Sequence, residues 1–324
     1  MKAITQDKYG TAELLKLSDI DQPTPGDQDV LVDVQAASVC QGVWHLMAGR
    51  PYLIRAMGFG FSGPKTSVLG MDVAGKVAAV GSKVTSLKLG DEVFGTCEGS
   101  FAEYVCVPDD RVALKPTNLT FEQAAAVPTS GFTALKAVRD VAKIQAGQKV
   151  LITGASGGVG TFAVQMAKAQ GAVVTGVCST AKEDLVRSLG ADEVIDYTRE
   201  NFADGNDHYD VILDIAGNTK LSALRRVLAP KGTLVLVGGE EGGAWFGGIG
   251  RNVGAMMLSP FIGQNLLGMV ADAPKEDLQA LRDLLEAGKV TPAISGTFPL
   301  SEVPSAIKLL KKGHAGGKIV IAVA

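Results

Sequence analysis

The chain has 324 residues, a formal net charge of −3 and a charged fraction of 20%, which is typical of a globular protein of roughly two domains. Without a long run of one charge sign, it is not expected to bind nucleic acid or a charged membrane surface. We find no N-terminal targeting segment and no apolar stretch of membrane-spanning length, and the four scattered cysteines predict no disulfide framework, so we expect a reducing, cytoplasmic environment.

The first part of the chain, up to about residue 123, is rich in short β-branched segments. Val30–Val34 and Val73–Val80 are two of them, and turns containing Gly and Pro separate such segments. The segment SFAEYVCVP alternates apolar and polar residues, as a half-buried strand does. We therefore predict a small, partly closed β structure for this part.

The sequence changes character near residue 121. The segment FEQAAAVPTSGFTALKAV is rich in Ala and predicts a helix, with Pro128 as a break. Apolar strands then alternate with helices, and this alternation predicts an α/β fold with a doubly wound parallel sheet. The predicted strands are Lys149–Thr153, Val173–Cys178, Glu193–Ile195, Tyr209–Asp214 and Thr233–Val237.

A glycine-rich turn follows the first of these strands, in the run KVLITGASGGVG. Glycine permits a tight turn and lets the backbone come close to a phosphate, while the positive end of the following helix faces its negative charge. Strand, turn, helix and strand follow in the order that a dinucleotide-binding fingerprint requires. We therefore expect a nicotinamide cofactor at the turn formed by Gly154, Gly157, Gly158 and Gly160.

The tip of the second strand, in GVCSTAKED, bears on which dinucleotide fits. An NAD-binding sheet usually has an Asp or Glu there for the ribose diol, but this tip offers Ser179 and Lys182, and Tyr197 ends the neighbouring strand. These groups suit the 2′-phosphate of NADPH, so we predict NADPH. The other interpretation is local, because Thr180 and Glu183 also fit a helix capping box.

The last part of the chain returns to a mixed character. The Gly-rich stretch GGEEGGAWFGGIGRNVG (238–254) predicts either a mobile flap or a poorly ordered loop. Beyond it, KEDLQALRDLLEAGK predicts an amphipathic helix and KIVIAVA a final strand. We expect this tail to rejoin the first domain, so that 1–123 and 268–324 form one domain and 124–267 the other.

Short motifs are spread over nearly the whole chain: AASVCQGVWHLMAG, LGMDVAGKVAAVG, GDEVFG, FAEYVCVP, AAAVPTSGFTAL, the glycine turn, SLGADEVIDY and GGKIVI. In these motifs the chain resembles the medium-chain dehydrogenase/reductase superfamily, and within it the zinc-free quinone oxidoreductase (zeta-crystallin-like) branch. The resemblance implies a GroES-like catalytic domain made from both ends of the chain, an inserted Rossmann domain, and an active site in the cleft between them.

The resemblance also implies contacts with the cofactor. It places Thr129 near the nicotinamide and the backbone around Gly238 beside the cofactor. The residues that it places at the phosphates are Ser156, Gly157, Gly158, Val159, Ser179, Lys182, Tyr197 and Lys318.

Zinc alcohol dehydrogenases of this superfamily bind their catalytic metal through a Cys, a His–Glu pair and a further Cys or Asp. Cys40 falls at the first position, but Met71 and Asp72 stand at the His–Glu position, and a thioether is a poor zinc ligand. Because a catalytic site needs three good protein ligands, we predict no metal. Cys40, where relatives usually have Asn, is then either a small buried residue or a thiol that meets electrophilic substrates in the acceptor pocket.

Without a metal to polarise a simple ketone, reduction of a quinone or an α,β-unsaturated carbonyl is the easier reaction, because the developing oxyanion is delocalised. His45 and Tyr52 are the candidate proton donors, although His45 also fits a surface or packing role. Trp44, Phe59 and Phe61 are expected to wall an apolar acceptor pocket, with core packing as the other interpretation, above all for Trp44. The run LIRAMGFGFSGPK is expected to cover the substrate.

Together these features predict a zinc-independent, NADPH-dependent oxidoreductase that acts on quinones or α,β-unsaturated carbonyls. A metal-free NADP-dependent alcohol dehydrogenase and a non-catalytic NADPH-binding protein are the alternatives. A small-molecule substrate is expected, and no nucleic-acid partner. A homodimer is expected because this family often pairs Rossmann sheets edge to edge, with Thr233–Val237 near that edge.

Overall fold

The computed structural model describes residues 1–205, 207–239, 243–269, 274–313 and 315–324. Its strands are β1 Lys2–Thr5, β2 Lys16–Asp19, β3 Asp29–Val39, β4 Asp72–Val80, β5 Glu92–Thr96, β6 Tyr104–Pro108, β7 Val112–Leu114, β8 Lys149–Thr153, β9 Val173–Cys178, β10 Glu193–Asp196, β11 Tyr209–Asp214, β12 Leu228–Leu236, β13 Asn265–Gly268, β14 Ile294–Pro299 and β15 Lys318–Ala322.

The α-helices are α1 Gln41–Ala48, α2 Phe121–Ala125, α3 Pro128–Leu135, α4 Gly158–Ala169, α5 Glu183–Ser188, α6 Leu221–Arg226, α7 Gly243–Phe246, α8 Ile249–Leu258, α9 Lys275–Glu286 and α10 Val303–Lys311. Short 3-10 turns lie at Ala12–Leu14, Thr180–Lys182, Phe202–Asp204, Ser259–Phe261 and Leu300–Glu302, and π-helical turns at Arg55–Phe59 and Lys136–Val141. Within the described ranges, none of the helices has the length and hydrophobicity needed to cross a lipid bilayer.

The chain divides into two units. Unit 1 consists of Met1–Phe132 and Ala273–Ala324, and unit 2 of Thr133–Asp272. Unit 1 is built around a mainly antiparallel sheet and unit 2 around a parallel one. The predicted α/β class with a doubly wound parallel sheet is confirmed.

The sheet of unit 1 has the order β14-β15-β3-β4-β5-β7, and β6 also pairs with β3. β3 is the longest strand: β4 runs along one of its edges, while β6 and β15 lie one after the other along the opposite edge. The register Ile319↔Val39 and Ile321↔Ala37 joins the last strand of the chain to this central strand. Both of the strands predicted from β-branched runs lie within β3 and β4.

Helices α2 and α3 form the segment that the sequence predicted as a helix broken at Pro128. Thr120 caps α2 through reciprocal hydrogen bonds with Gln123. Pro128 is the first residue of α3, where a helix leaves the backbone N–H unpaired in any case and the fixed φ of proline suits the first turn. The break therefore places Thr129 and Ser130 in the first turn of α3.

The sheet of unit 2 has the order β10-β9-β8-β11-β12-β13, with all neighbours parallel. β8, β9 and β11 have the predicted bounds. Side chains such as Leu151 and Ile212 are fully buried within the sheet, and strands buried on both faces are continuously apolar, which makes them visible in the sequence. The strand order changes direction between β8 and β11. In open parallel sheets, ligands bind outside the carboxyl ends of the strands at this switch point.

We expected Thr233–Val237 near an edge of this sheet, and most of it belongs to β12, which lies between β11 and the edge strand β13. β13 was missed because four residues carry little periodicity. Of the Gly-rich stretch 238–254, residues 240–242 lie outside the described residues, and most of the rest forms α7 and the start of α8 rather than a loop.

Candidate functional site

The glycine turn connects β8 to α4 through backbone that has no room for side chains. Gly154 has a φ of +66°, which favours glycine. A Cβ built on Gly160 would lie 2.1 Å from the carbonyl oxygen of Gly154, so the turn and the first turn of α4 touch each other. Both positions thus require glycine, and the backbone of the turn is not covered by side chains at these positions.

The N-terminus of α4 is open to an anion. Gly157 is its N-cap residue, no side chain caps it, and no acidic residue stands in the first turn. The first N–H groups of a helix lack partners within the helix and carry partial positive charge. Ser156 precedes the N-cap residue Gly157, and Gly158 and Val159 follow it. The backbone of these residues forms an end of the helix that fits a pyrophosphate group.

The loops after β11 and β12 also meet closely at the carboxyl end of the sheet. Gly217 has a φ of +71°, and a Cβ on Gly238 would lie 2.0 Å from the carbonyl oxygen of Ile215. The backbone N–H of Gly238 donates to the carbonyl of Asp214, at 3.0 Å. The backbone around Gly238, which was predicted to border the cofactor, is therefore fixed at the carboxyl end of the sheet, where dinucleotides bind.

The residues predicted for a 2′-phosphate lie at the carboxyl ends of β9 and β10. Ser179 follows β9, Lys182 is half-buried in the next turn, and Tyr197 is 63% exposed directly after β10. The backbone N–H of Tyr197 donates to the carbonyl of Cys178, at 3.0 Å. The two strand tips are thereby joined, and all three predicted side chains belong to this corner of the sheet.

The same corner contains Asp196, which the sequence reasoning missed. Its carboxylate accepts hydrogen bonds from the Thr180 hydroxyl and from the backbone N–H (2.9 Å) and hydroxyl (2.7 Å) of Thr198, and Arg199 lies 3.3 Å away. Burial alone would raise the pKa of Asp196, but these hydrogen bonds outweigh it and lower the pKa. The carboxylate is ionised and already well supplied with donors.

This bonding also bears on the capping-box interpretation. The hydroxyl of Thr180 donates to Asp196, and α5 begins at Glu183 without a side-chain cap. Thr180 therefore connects β9 to β10 instead of capping a helix. A signal for this role was present in the sequence, since SLGADEVIDY ends an apolar strand with an acid beside the tip of its neighbour.

A buried polar cluster in unit 1 connects three strands and a helix. The carboxylate of Asp72 on β4 accepts from the hydroxyl of Ser38 (2.6 Å) and from the N–H (2.8 Å) and hydroxyl (2.5 Å) of Thr129. Lys318 Nζ on β15 lies 3.0 Å from Asp72 and 3.2 Å from the hydroxyl of Ser130. The cluster fixes the first turn of α3, and with it Thr129, against the sheet.

Lys318 has a different environment from the expected one. Its side chain is 2% exposed and its ammonium is paired with a buried carboxylate, whereas the resemblance placed it at a cofactor phosphate. The structure gives that expected contact no support, because Asp72 already neutralises the charge. The sequence offered one sign of this pair, an acid inside the otherwise apolar run LGMDVAG.

The residues around Cys40 do not fit a zinc ion. Cys40 is buried, and its sulfur lies 4.0 Å from the thioether sulfur of Met71. Burial, and then the nearby charge of Asp72, raise the pKa of Cys40, and the thioether of Met71 beside it is a poor zinc ligand. Among the described residues, which leave out His314, no group of three or more His, Cys, Asp or Glu side chains could hold a metal ion. Burial favours the small-residue interpretation of Cys40.

The two predicted proton donors lie in α1 and in the turn after it. His45 Nδ1 is 2.7 Å from the carbonyl oxygen of Arg50. Because a carbonyl only accepts, Nδ1 carries a proton, and the other ring nitrogen donates a proton only when the ring is an imidazolium. The guanidinium of Arg55 stacks 4.8 Å from the ring centre of Tyr52. The geometry thus makes His45 an acid in its charged form.

The run at 53–65 that was expected to cover the substrate presents aromatic side chains at the surface. Phe61 is 81% exposed and Phe59 42% exposed, so core packing explains neither of them. Trp44, in contrast, packs against the buried cluster around α1, as its core interpretation predicted. The hydroxyl of Tyr9 lies 2.8 Å and 2.7 Å from the carbonyl oxygens of Phe59 and Gly60. Tyr9, which the sequence did not single out, anchors this run.

Two family models match the chain. The one described as "Alcohol dehydrogenase GroES-like domain" matches residues 26–117, and the one described as "Zinc-binding dehydrogenase" matches residues 189–321. The first confirms the GroES-like fold expected for the beginning of the chain. The name of the second refers to a metal that the residues around Cys40 do not fit.

Relatives match nearly the whole length of the chain. It is 35% identical to the 2-methylene-furan-3-one reductase of Solanum lycopersicum and to the chloroplastic NADPH-dependent alkenal/one oxidoreductase of Arabidopsis thaliana, in each case over 99% of this chain and 79% of the relative. A solved structure of the quinone oxidoreductase from Coxiella burnetii superposes with a TM-score of 0.87 at 30% identity, covering 100% of this chain and 99% of that one.

Proposed function

The chain belongs to the medium-chain dehydrogenase/reductase superfamily, in its quinone oxidoreductase branch, and we propose that it is a zinc-independent, NADPH-dependent reductase of quinones or α,β-unsaturated carbonyls. The names of the relatives support this acceptor class. A 2-methylene-furan-3-one, an alkenone and a quinone all have a carbon–carbon double bond conjugated to a carbonyl group.

The observation that carries the proposal is the glycine turn at the switch point of unit 2. It combines a positive φ at Gly154, a contact that excludes a side chain at Gly160, and an α4 N-terminus with neither a side-chain cap nor an acid. These properties suit an anionic dinucleotide and would be unnecessary in a purely structural turn. In this proposal residues 124–267 bind the cofactor, and 1–123 with 268–324 provide the catalytic domain.

NADPH, rather than NADH, is supported by the charges at the tips of β9 and β10. Ser179, Lys182 and Tyr197 offer a hydroxyl, an ammonium and a phenol. The acid of this corner, Asp196, already accepts hydrogen bonds from Thr180 and Thr198, so it is poorly placed to bind a ribose diol. A 2′-phosphate is the group that this set of donors favours.

When bound, NADPH supplies a hydride for the carbon β to the acceptor's carbonyl group. The chain must then supply one proton to the resulting oxyanion or to its α carbon. His45 can do this from its imidazolium form and return to a neutral ring that still donates from Nδ1 to Arg50. Tyr52 is the second candidate donor. No Lewis acid is required, because the negative charge is delocalised over the conjugated system.

The test is the oxidation of NADPH and of NADH with three acceptors in parallel: a quinone, an open-chain enone and a saturated aldehyde. We expect turnover with the first two and with NADPH preferred. Turnover with the aldehyde alone would instead support a metal-free alcohol dehydrogenase. Tight NADPH binding without turnover of any acceptor would support a non-catalytic protein. The homodimer and the cytoplasmic location stay predictions.

A further inference from the structure

A buried ion pair lies at the switch point of unit 2, and the function proposed above makes no use of it. Asp214 ends β11 and is 0% exposed, while Arg251, from α8, is 18% exposed and has Nη1 2.6 Å from Oδ2 of Asp214. The other carboxylate oxygen accepts a hydrogen bond from the hydroxyl of Thr153, at 2.7 Å. Thr153 is the last residue of β8 and directly precedes Gly154, so the pair is connected to the glycine turn.

The same guanidinium holds the loop that follows β11. Nη1 donates to the carbonyl of Gly217 at 3.2 Å, and Nη2 to the carbonyl of Thr219 at 2.7 Å. Gly217 in turn meets the loop after β12, because a Cβ on it would lie 2.7 Å from the carbonyl carbon of Gly238. One side chain from α8 therefore holds the loop after β11, and this loop itself packs against the loop after β12.

The charge of Asp214 makes this arrangement matter for an anionic ligand. A buried carboxylate needs a compensating charge, and an uncompensated one at the switch point would repel a pyrophosphate through a medium that screens poorly. We propose that Arg251 is a positioning residue for the cofactor, an inference that depends on the function proposed above. It cancels the charge of Asp214 and holds residues 215–219 in place, so that this end of the sheet accepts an anionic dinucleotide.

The first test compares two arginines of unit 2 by titration of NADPH fluorescence. Arg226 has similar partners, with Asp204 at 3.5 Å and the carbonyl of Ala203 at 3.2 Å, but its side chain is 62% exposed. We expect Arg251→Met to raise the Kd for NADPH at least about tenfold and Arg226→Met to leave it within about twofold. Equal Kd values for the two variants would overturn the proposal.

Two further variants distinguish the effect of the positive charge of Arg251 from the effect of its hydrogen bonds to residues 215–219. Arg251→Lys keeps the positive charge but cannot reach two carbonyls with a planar fork, so we expect an intermediate Kd. The double variant Arg251→Met with Asp214→Asn removes both charges, and we expect it to bind NADPH more tightly than Arg251→Met alone. If the double variant binds no better, charge compensation is not the role of Arg251.

The same measurements distinguish this inference from the proposed function. Parent protein that binds NADPH and reduces an enone, together with an unaffected Arg251→Met, would leave the function standing and remove the role of Arg251. Parent protein that binds neither NADPH nor NADH would remove both. Thermal unfolding of each variant without cofactor serves as the readout for folding. Should Arg251→Met fail to fold, the Kd of Arg251→Lys tests the hold on residues 215–219: a raised Kd supports the proposal and an unchanged Kd overturns it.

Discussion

Breaking the Asp72–Lys318 ion pair of unit 1 should destabilise the protein more than removing the pair as a whole. The two side chains are 0% and 2% exposed and lie 3.0 Å apart. Loss of one partner from a buried pair leaves an unpaired charge and costs about 3–5 kcal/mol. Replacing both partners by neutral groups removes both charges, so the double variant Asp72→Asn with Lys318→Met should lose less than either single variant.

The two single variants should also differ from each other. In Lys318→Met, Asp72 keeps the donors of Ser38 and Thr129, and a hydrogen bond to a charged group is worth about 1.5–3 kcal/mol. In Asp72→Asn, the ammonium of Lys318 keeps the hydroxyl of Ser130 and meets a new N–H donor. We therefore expect Lys318→Met near the lower end of the range and Asp72→Asn near the upper end.

The assay is urea unfolding followed by tryptophan fluorescence. The chain has two tryptophans, and in a Trp245→Phe background the remaining Trp44 reports on unit 1. Lys83→Met is the control, because its ion pair with Asp27 is 66% and 60% exposed and should contribute below about 1 kcal/mol. The expected order is refuted if the double variant loses as much unfolding free energy as the two single variants together, or if Lys318→Met loses no more than the control.

Three further predictions concern the cofactor and the proton. Gly160→Ala, whose Cβ would lie 2.1 Å from the carbonyl of Gly154, should raise the Kd for NADPH at least about tenfold, whereas Gly250→Ala, where a Cβ meets nothing within 4 Å, should not; equal effects would contradict the turn's role. In the same titration, Lys182→Glu should weaken the binding of NADPH far more than the binding of NADH, and an equal loss of affinity for both would exclude a contact between Lys182 and the 2′-phosphate. His45→Gln should lower the enone reduction rate, because an amide cannot release a proton to the oxyanion as an imidazolium can; an unchanged rate would assign the proton to another group.

Much of the fold could be predicted because its signals are local. β8, β9 and β11 are continuous apolar runs, and the bare backbone of the glycine turn is written in consecutive residues. Pro128 marked a helix boundary correctly because its ring dictates the backbone around it. β13, in contrast, is too short to show a period, and its pairing with β12 depends on the rest of the sheet.

The polar contacts could not be predicted because their partners are far apart in the chain. Lys318 and Asp72 are 246 positions apart, and the pattern GGKIV gave no hint that its ammonium would be buried. Arg251 stood in a Gly-rich stretch that predicted a loop, while the structure places it in α8 against Asp214. Burial decides what these charged side chains do, and burial follows from packing that a single sequence does not display.

In the function proposed above, the chain binds NADPH at its glycine turn and reduces a conjugated double bond without a metal. The most direct measurement uses NADPH deuterated at C4, an open-chain enone and protein dialysed against a chelator, with NMR to locate the deuterium in the product. We expect a saturated ketone with deuterium on the carbon β to the carbonyl. Deuterium on the carbinol carbon of an allylic alcohol, or activity only after zinc is restored, would contradict it.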